Sequence, residues 1–176
     1  MNQLKRISVW LSRISYSLGF GIQSPTDYAF VRYVINEHWP YYAYKDLDAM
    51  TNDSLKRKLG RLYFRLANWR QPSVMKRDEF EPYWSAGCRK TKMMDMVDRM
   101  ELGRLPLTGD YRQLMSDIYP HVDCQSVLVI EGINRDWDFW KEIEQDARTG
   151  VTFDLYYCGI VFFDTKRHKK NYKVNF

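Results

Sequence analysis

The stretch "SVLVIEG", residues 126–132, contains a continuous apolar run, "VLVI", of the kind that forms a strand buried on both faces of a sheet. Two segments with helical spacing surround it, "DYRQLMSDIYPHV" before and "NRDWDFWKEIEQDART" after. The side chains predicted to face the sheet are Leu114, Met115 and Ile118 from the first helix, and Trp137, Phe139, Trp140 and Ile143 from the second. Strands that alternate with helices from residue 72 onward predict a layered α/β domain.

Further strands are predicted from shorter apolar stretches on either side of this run. We expect "SVLVIEG" at the centre of a mainly parallel sheet, flanked by "SVMK" at residues 73–76 and "RLPL" at residues 104–107. "VTFDLYY" then turns at Cys158 and Gly159 into "GIVFF", which is predicted to form an antiparallel edge at the carboxyl-terminal end of the domain. "NYKVNF" adds a final strand, and the intervening "DTKRHKK" is typical of the exposed tip of a hairpin because it has no apolar residue.

Residues 1–70 are predicted to form a helical extension that packs on a sheet domain of residues 71–176. Near the amino terminus, apolar residues recur at intervals of three and four, namely Leu4, Ile7, Leu11, Ile14 and Leu18. We expect this stripe to pack against the domain, or against a second copy of the chain to give a homodimer, rather than to lie on a lipid surface. Basic residues interrupt the segment, so neither a signal peptide nor a membrane span is expected.

Two more helices are predicted before the sheet. Ser24 and Pro25 suit the cap and the first position of a helix in "SPTDYAFVRYVINEHW". "SLKRKLGRLYFRLANW" predicts the next helix, with Leu55, Leu59, Leu62 and Leu66 on one side and Lys56, Arg57, Lys58, Arg61 and Arg65 around them. Basic and aromatic residues alternate over residues 56–70, which we interpret as a solvated helix face, with a nucleic-acid site as the less favoured alternative.

Charge and cysteine content bound the partners and the location of the chain. The formal net charge of +5 and the isoelectric point near 9.0 reflect a mild basic excess spread along the sequence, which does not by itself indicate nucleic acid. Cys88, Cys124 and Cys158 match no zinc-binding spacing and cannot all pair with one another. Reduced thiols and a cytoplasmic location are therefore expected.

Several stretches resemble one protein family. The turn "GFGIQSP", the helix "LGRLYFRLANWRQP", the strand and helix "QSVLVIEGINRDWDFWKEI" and the strands "FDLYYCGIVFF" are similar to segments of class I S-adenosylmethionine-dependent methyltransferases, which have a Rossmann-like fold. The similarity is to a bacterial branch of small-molecule O-methyltransferase-like proteins with a helical amino-terminal extension. It covers roughly residues 17–72 and 102–176.

The resemblance implies an acidic, glycine-rich loop after the first strand, where the backbone would approach the methionine end of the cofactor. The corresponding "SVMKRDEFEPYWSAG" has no glycine before Gly87, so this loop has been replaced. Asp78 or Glu79 could stand where the family's loop acid stands, although a structural or capping role is preferred for Asp78. We expect S-adenosylmethionine to bind weakly or not at all. Any pocket at the strand ends is predicted to be filled by Phe80, Tyr83 and Trp84.

The sheet also has to be shorter than the family's. The interval from Pro72 to Leu107 spans 36 residues, which is room for one β-α-β unit, whereas the family places two further strands and three helices there. "TKMMDMVD" is either a surviving strand or a helical turn, and Asp98 at its end would imitate the acid that holds the cofactor's ribose. Because only "RMELG" separates it from "RLPL", the two are antiparallel neighbours or one lies outside the sheet.

Polar residues follow two of the predicted strands, Thr108 and Asp110 after "RLPL", and Glu131 and Asn134 after "SVLVI". By the resemblance, Thr108 and Asp110 are candidates for cofactor binding, and Asp110, Glu131 and Asn134 are candidates for catalysis or for oxygen ligands of a divalent cation. The preferred interpretation makes Asp110 a helix cap and Glu131 an ordinary strand-end residue. No bound metal is expected.

Three functions remain open at this point. The favoured one is a degenerate methyltransferase-like protein that keeps the fold as a non-catalytic binding or structural module for an unidentified small molecule or protein. The alternative is an active methyltransferase that acts on a small molecule through an altered cofactor site. A basic nucleic-acid-associated protein is the third.

Overall fold

The computed structural model describes residues 3–176, with side chains from Ile7 onward. Helical segments come first: α1 (Gln3–Ser12), a 3₁₀ segment (Ile14–Gly19), α2 (Pro25–Phe30) continued by a π-helical turn (Val31–Ile35), α3 (Tyr44–Ala49) and α4 (Ser54–Arg70). The rest of the chain alternates: β1 (Val74–Lys76), α5 (Glu81–Gly87), β2 (Lys92–Met94), β3 (Leu102–Pro106), α6 (Tyr111–Ile118), β4 (Val127–Glu131), α7 (Trp137–Gln145), β5 (Thr152–Asp154), β6 (Cys158–Phe162) and β7 (Asn171–Lys173). The predicted mixed α/β class is confirmed.

Two sheets are formed. β1 and β2 pair in parallel as a two-stranded sheet, so the segment "TKMMDMVD" contributes a strand rather than a helical turn. The other five strands form a mixed sheet in the order β3-β4-β6-β5-β7, in which β4 is parallel to β3 and antiparallel to β6. β2 and β3 thus belong to different sheets, which is one of the two arrangements that the short connection between them allowed.

The prediction of a mainly parallel sheet with an antiparallel carboxyl-terminal edge is wrong about which strands are neighbours. β1 does not flank β4; it lies beside β3, and the Glu101 side chain just before β3 accepts a hydrogen bond at 3.0 Å from the backbone N–H of Ser73, just before β1. β6 is antiparallel as predicted but lies between β4 and β5, because its residues Cys158–Phe162 carry no charged or polar side chain except a buried thiol and suit the interior of the sheet. The more exposed β7 forms the edge and pairs with β5 in parallel.

That pairing also corrects the predicted turns. "DTKRHKK" is not the tip of a hairpin, because β6 and β7 are both neighbours of β5 rather than of each other, and Arg167 reaches back to the buried Asp27. The reversal before β6 falls at Leu155–Tyr157, where Tyr156 has a left-handed φ of 71°, and not at Cys158 and Gly159. Gly159 lies within β6, where a Cβ atom would meet the Trp140 ring at 2.3 Å.

The larger sheet is buried on both faces, as "SVLVIEG" predicts. Val127 and Val129 of β4 pack in the cluster that contains α4 and α5, whereas Leu128 and Ile130 pack in the cluster that contains α7. The first cluster joins residues on both sides of position 70, so the helical extension and the sheet share one core.

Local sequence signals account for the helix ends, while tertiary packing changed some of the predicted faces. The Ser24 hydroxyl accepts the Asp27 backbone N–H at 3.4 Å, and the Asp53 carboxylate caps α4 through the Leu55 N–H at 2.7 Å. Leu59, Leu62 and Leu66 are buried as predicted; Leu55 is partly buried. Three predictions are wrong: Leu114 and Trp137 are exposed, because α6 buries Met115 and α7 buries Phe139, Trp140 and Ile143 instead, and Arg65 is buried rather than solvated.

The amino-terminal stripe is left largely uncovered. Ile7, Leu11, Ile14 and Leu18 remain about half exposed, and the side chain of Leu4 lies outside those that the structure describes. This segment is anchored instead by Arg13, whose guanidinium pairs with the buried Asp154 carboxylate at 3.0 Å. None of the helices over residues 3–176 is long and apolar enough to cross a membrane.

Candidate functional site

Charged side chains from the loop after β1, from β3 and from the end of β4 meet beside Tyr63 of α4. The strand-end cluster, as we call this group, consists of Asp78 and Glu79 after β1, Arg104 on β3, Glu131 at the end of β4, Tyr63 on α4, and Phe80. In open α/β sheets, ligands bind outside the carboxyl ends of the strands. The cluster therefore lies at the place where a site would be expected.

Arg104 is the centre of this cluster. Its side chain is only 5% exposed, and it donates from Nε to Glu131 at 2.7 Å and from a terminal nitrogen to Glu79 at 2.8 Å. The Asp78 carboxylate lies 3.8 Å from the other terminal nitrogen, and the guanidinium lies 4.6 Å from the centre of the Phe80 ring. One cation thus holds the acids that follow two different strands.

The pKa shifts follow from this arrangement. Burial by itself lowers the pKa of Arg104, but the hydrogen bond and the negative charge of Glu131 outweigh it, so that the pKa is raised. Tyr63 donates its hydroxyl to Glu131 at 2.5 Å, and its pKa is raised well above the ordinary value by burial and by the nearby carboxylate. Arg104 therefore stays charged and Tyr63 stays a neutral phenol at physiological pH.

Asp78 has a structural role, as its preferred interpretation predicted. Its carboxylate accepts the Phe80 backbone N–H at 2.8 Å and the Trp84 indole N–H at 3.0 Å, which fixes the start of α5. Burial raises the pKa of this carboxyl, although these hydrogen bonds and Arg104 oppose the rise. One Asp78 carboxylate oxygen therefore accepts two hydrogen bonds from the protein, and the other lies 3.8 Å from Arg104.

Aromatic side chains occupy the space behind the cluster. Phe80, Tyr83 and Trp84 are all buried, which agrees with the predicted filling of this region. The Trp84 ring stacks on Tyr63 with centroids 4.6 Å apart, and Phe80 meets the same Tyr63 ring edge-on at 4.8 Å. The region between α4 and α5 is therefore packed as core.

The first glycine after β1 serves this packing. A Cβ atom on Gly87 would lie 2.2 Å from the Phe64 carbonyl oxygen of α4, and one on Gly60 would lie 2.5 Å from the Tyr83 ring. The two glycines let α4 and α5 approach closely. Gly87 thus belongs to a helix contact and not to a cofactor loop.

Of the remaining predicted site residues, only Glu131 joins the cluster by a direct contact. Asp110 caps α6 by accepting the Gln113 backbone N–H at 3.1 Å, as preferred, and Thr108 beside it is exposed. Asp98 is exposed in the loop after β2, and its carbonyl lies 2.8 Å from His121. Glu131 is no ordinary strand-end residue, because Arg104 and Tyr63 hold it.

Asn134 lines a small cavity of about 280 Å³ with Glu131, Gly132 and Tyr157. This volume is below the lower end of about 300 Å³ that is typical of ligand pockets. Asp110 and Glu131 engage different partners, and no group of three or more His, Cys, Asp or Glu residues within residues 3–176 is placed to hold a metal ion.

Sequence reasoning missed Arg104, Tyr63 and Lys56 as members of the site. A signal existed for Arg104, because a guanidinium inside an apolar strand has to find a buried partner. Lys56 donates to Glu79 at 2.7 Å, which links α4 to the loop after β1. None of these pairings follows from local spacing.

Comparison with protein-family models, with curated proteins and with solved structures finds no match for this chain.

Proposed function

We propose that this chain is a degenerate, methyltransferase-like protein that uses the fold as a non-catalytic binding or structural module. The observation that supports the proposal is the strand-end cluster, in which Arg104 is paired with Glu131 and Glu79, and Asp78 is bound to Phe80 and Trp84. The methyltransferase relation rests on the sequence resemblance and on the order of the strands.

Strand order supports a Rossmann-like relation. β1 pairs with β2 on one side and lies beside β3 on the other, so the chain order reverses between β1 and β3. Ligands in doubly wound sheets bind at such a reversal. Asp78, Glu79 and Arg104 meet there, which is why the filling of this position bears on the cofactor.

The residues present do not fit S-adenosylmethionine. Its charged methionine end needs a close backbone approach and free donors or acceptors, but Arg104 is bound to Glu131 and Glu79, and Asp78 is bound to Phe80 and Trp84. Displacing one charged hydrogen bond costs about 1.5–3 kcal/mol, so losing two weakens binding by at least about a hundredfold.

Calorimetric titration with S-adenosylmethionine and with S-adenosylhomocysteine tests the proposal. We expect no saturable heat up to millimolar ligand in a sample whose unfolding is cooperative. Micromolar binding that Asp78→Asn abolishes and Asp117→Asn leaves unchanged would contradict the proposal and favour the alternative, a methyltransferase acting on a small molecule. Asp117 is the matched control because it is exposed on α6 and is not among the predicted site residues.

A homodimer through the amino-terminal helices is the structural part of the proposal. The half-exposed Ile7, Leu11 and Ile14 support it, because soluble proteins seldom leave a continuous apolar stripe uncovered. Sedimentation at micromolar concentration should then give a dimer, and Leu11→Glu with Ile14→Glu should give a monomer. A monomer in both samples would remove this role.

A further inference from the structure

A second region, away from the strand ends, has the size and chemistry of a binding site. A cavity of about 990 Å³ lies against α4 and is also lined by residues 35–41, 44 and 45, by Trp10, Ser17 and Leu18, and by Asn175 and Phe176. Small-molecule pockets commonly measure about 300–1,000 Å³. We call this space the basic cavity.

Its wall is strongly cationic. The basic side chains that line it are Lys45, Arg57, Lys58, Arg61 and Arg65. Among its described lining residues, Glu37 supplies the sole side-chain carboxylate. Arg57, Arg61 and Arg65 follow one another at intervals of four on α4, so they lie along one face of the helix. An anionic ligand is the expected occupant.

The arginines differ in how far the protein satisfies them. Arg65 donates to the Val34 and Ile35 carbonyl oxygens at 2.6 and 2.9 Å, and Arg61 pairs with Asp48. Arg57 is different, because its Nε is buried and has no hydrogen-bond partner within the described part of the chain.

Asn36 adds a second donor of the same kind. Its Nδ2 is also buried without a partner among the described residues, and Asn36 lines the same cavity. Buried polar groups in proteins are normally hydrogen-bonded, so two orphaned donors among the residues that line one cavity indicate a missing acceptor. A phosphate group supplies several charged acceptor oxygens.

Aromatic rings stand beside these cations. Trp39 is 66% exposed and Trp10 is 47% exposed, and both line the cavity with the partly buried Tyr41. Exposed aromatic faces next to a basic groove are the usual means of binding a nucleobase and its phosphate together.

We propose that the basic cavity binds a small molecule that carries a terminal phosphate and a flat aromatic ring, of which a nucleotide is the simplest representative. The phosphate contacts Arg57 and Asn36, and the ring stacks on the exposed tryptophan side chains. The inference goes beyond the non-catalytic module and does not depend on it, since the members of the strand-end cluster are not among the residues that line this cavity.

A terminal phosphate fits better than a nucleic-acid chain. The orphaned donors of Arg57 and Asn36 are buried, so the group that meets them has to enter the wall. A terminal phosphate can enter from one end and carries a charge of about −1.5 to −2 at neutral pH. An internal phosphodiester carries only one negative charge. It is also attached to the nucleic-acid chain on both sides, so it cannot enter the wall by itself.

Calorimetry with defined probes tests the proposal, using AMP, ATP, adenosine, inorganic phosphate and a short single-stranded RNA without terminal phosphates. We expect AMP or ATP to bind, and adenosine and inorganic phosphate each to bind about tenfold or more weakly, because each lacks one half of the recognised structure. Raising the salt concentration should weaken nucleotide binding.

Variants locate the binding. Arg57→Gln and Trp39→Ala should each weaken nucleotide binding about tenfold or more, whereas Arg89→Gln, an exposed arginine that does not line the cavity, should change it less than about twofold. Trp39 is exposed, so its variant remains informative if Arg57→Gln unfolds the chain.

Three results would overturn the proposal. The first is no binding of AMP or ATP at millimolar concentration to a folded sample. The second is nucleotide binding that Arg57→Gln and Trp39→Ala leave unchanged. The third is RNA that binds more tightly than AMP and depends on the same residues, which would make the cavity a nucleic-acid site. A titration with S-adenosylmethionine that shows no binding bears on none of these three results, so the nucleotide proposal and the proposed function are tested independently.

Discussion

The strand-end cluster and the basic cavity lie against the same helix, α4, but they differ in how far the protein pairs its own charged groups. Tyr63 of α4 donates to the cluster, where Arg104 is bound by acids from two strands. Arg57, on the first half of the same helix, lines the cavity and has a buried nitrogen without a partner in the described residues. The difference teaches that a site at the expected place in a fold can be closed by the protein itself, while another surface stays open.

The largest effect is expected from removing the centre of the cluster. Arg104→Ala leaves Glu131 and Asp78 in a buried setting without their cation, so the free energy of unfolding should fall by about 3–5 kcal/mol. Urea denaturation measures the loss. The control is Arg77→Ala, because Arg77 is exposed and pairs with Glu81 on the surface, and its loss should be about 0–1 kcal/mol. Equal losses in the two variants would contradict the role of Arg104 as a buried hub.

The next largest effect is expected where α4, the helix that both regions share, packs closely against α5. Gly60→Ala places a methyl group against the Tyr83 ring, and overpacking of this kind costs about 1–3 kcal/mol. Better helix propensity offsets up to about 1 kcal/mol of that loss. Asn68→Ala, at an exposed position on the same helix, should stay within about 0.5 kcal/mol of the parent. If the urea midpoints of Gly60→Ala and Asn68→Ala are equal, the added methyl group fits between α4 and α5, and the close contact at Gly60 is not required.

A smaller effect of opposite sign should mark the cavity. Arg57→Met removes a buried, unpaired donor, so the free energy of unfolding should stay unchanged or rise by about 1 kcal/mol while nucleotide binding is lost. Arg65→Met is the matched variant on the same face, and it should be destabilising because it frees two backbone carbonyl oxygens. If both variants destabilise alike, Arg57 has a structural partner and the cavity is not an unfilled site.

Much of the fold could be predicted from short-range pattern. β4 follows from an apolar run, and the caps formed by Ser24 and Asp110 follow from contacts three residues apart. The errors concern relations between elements. The exposed Leu114 and Trp137 depend on how each helix is rotated on the sheet, and the interior position of β6 depends on which strands pair.

The site was predictable only in part for the same reason. Asp78 and Glu79 were candidates because of the resemblance to the family's loop acid, and Glu131 because it follows a predicted strand. Arg104 gains its role from the approach of β1 to β3, and the cavity is built from segments far apart in the chain. Contacts between such distant segments are determined by tertiary packing, which the local spacing of residues does not encode.

The smallest predicted effect is a difference in pH dependence between two neighbouring acids of the cluster. The hydrogen bond from Lys56 lowers the pKa of Glu79 from its ordinary 4.5, with Arg104 adding to the effect against partial burial. Ionised Glu79 therefore stabilises the fold above about pH 4.5, and this contribution is lost as the pH falls through the folded-state pKa. Burial raises the pKa of Asp78 from 3.8, so its ionisation has the opposite sign, and protonation on acidification favours the folded state.

Urea denaturation between pH 7 and pH 3 separates the two. Glu79→Gln should cost about 0.2–1 kcal/mol at pH 7, a surface-pair value, because Glu79 is 54% exposed, and the difference from the parent should shrink below about pH 4.5. For Asp78→Asn, the parent's advantage should instead grow as the pH falls toward 3.8, since only the parent gains from protonation there. Profiles with the same slope for both variants would mean that the two carboxylates share one environment, and the division of the cluster into a buried acid and a surface acid would be wrong.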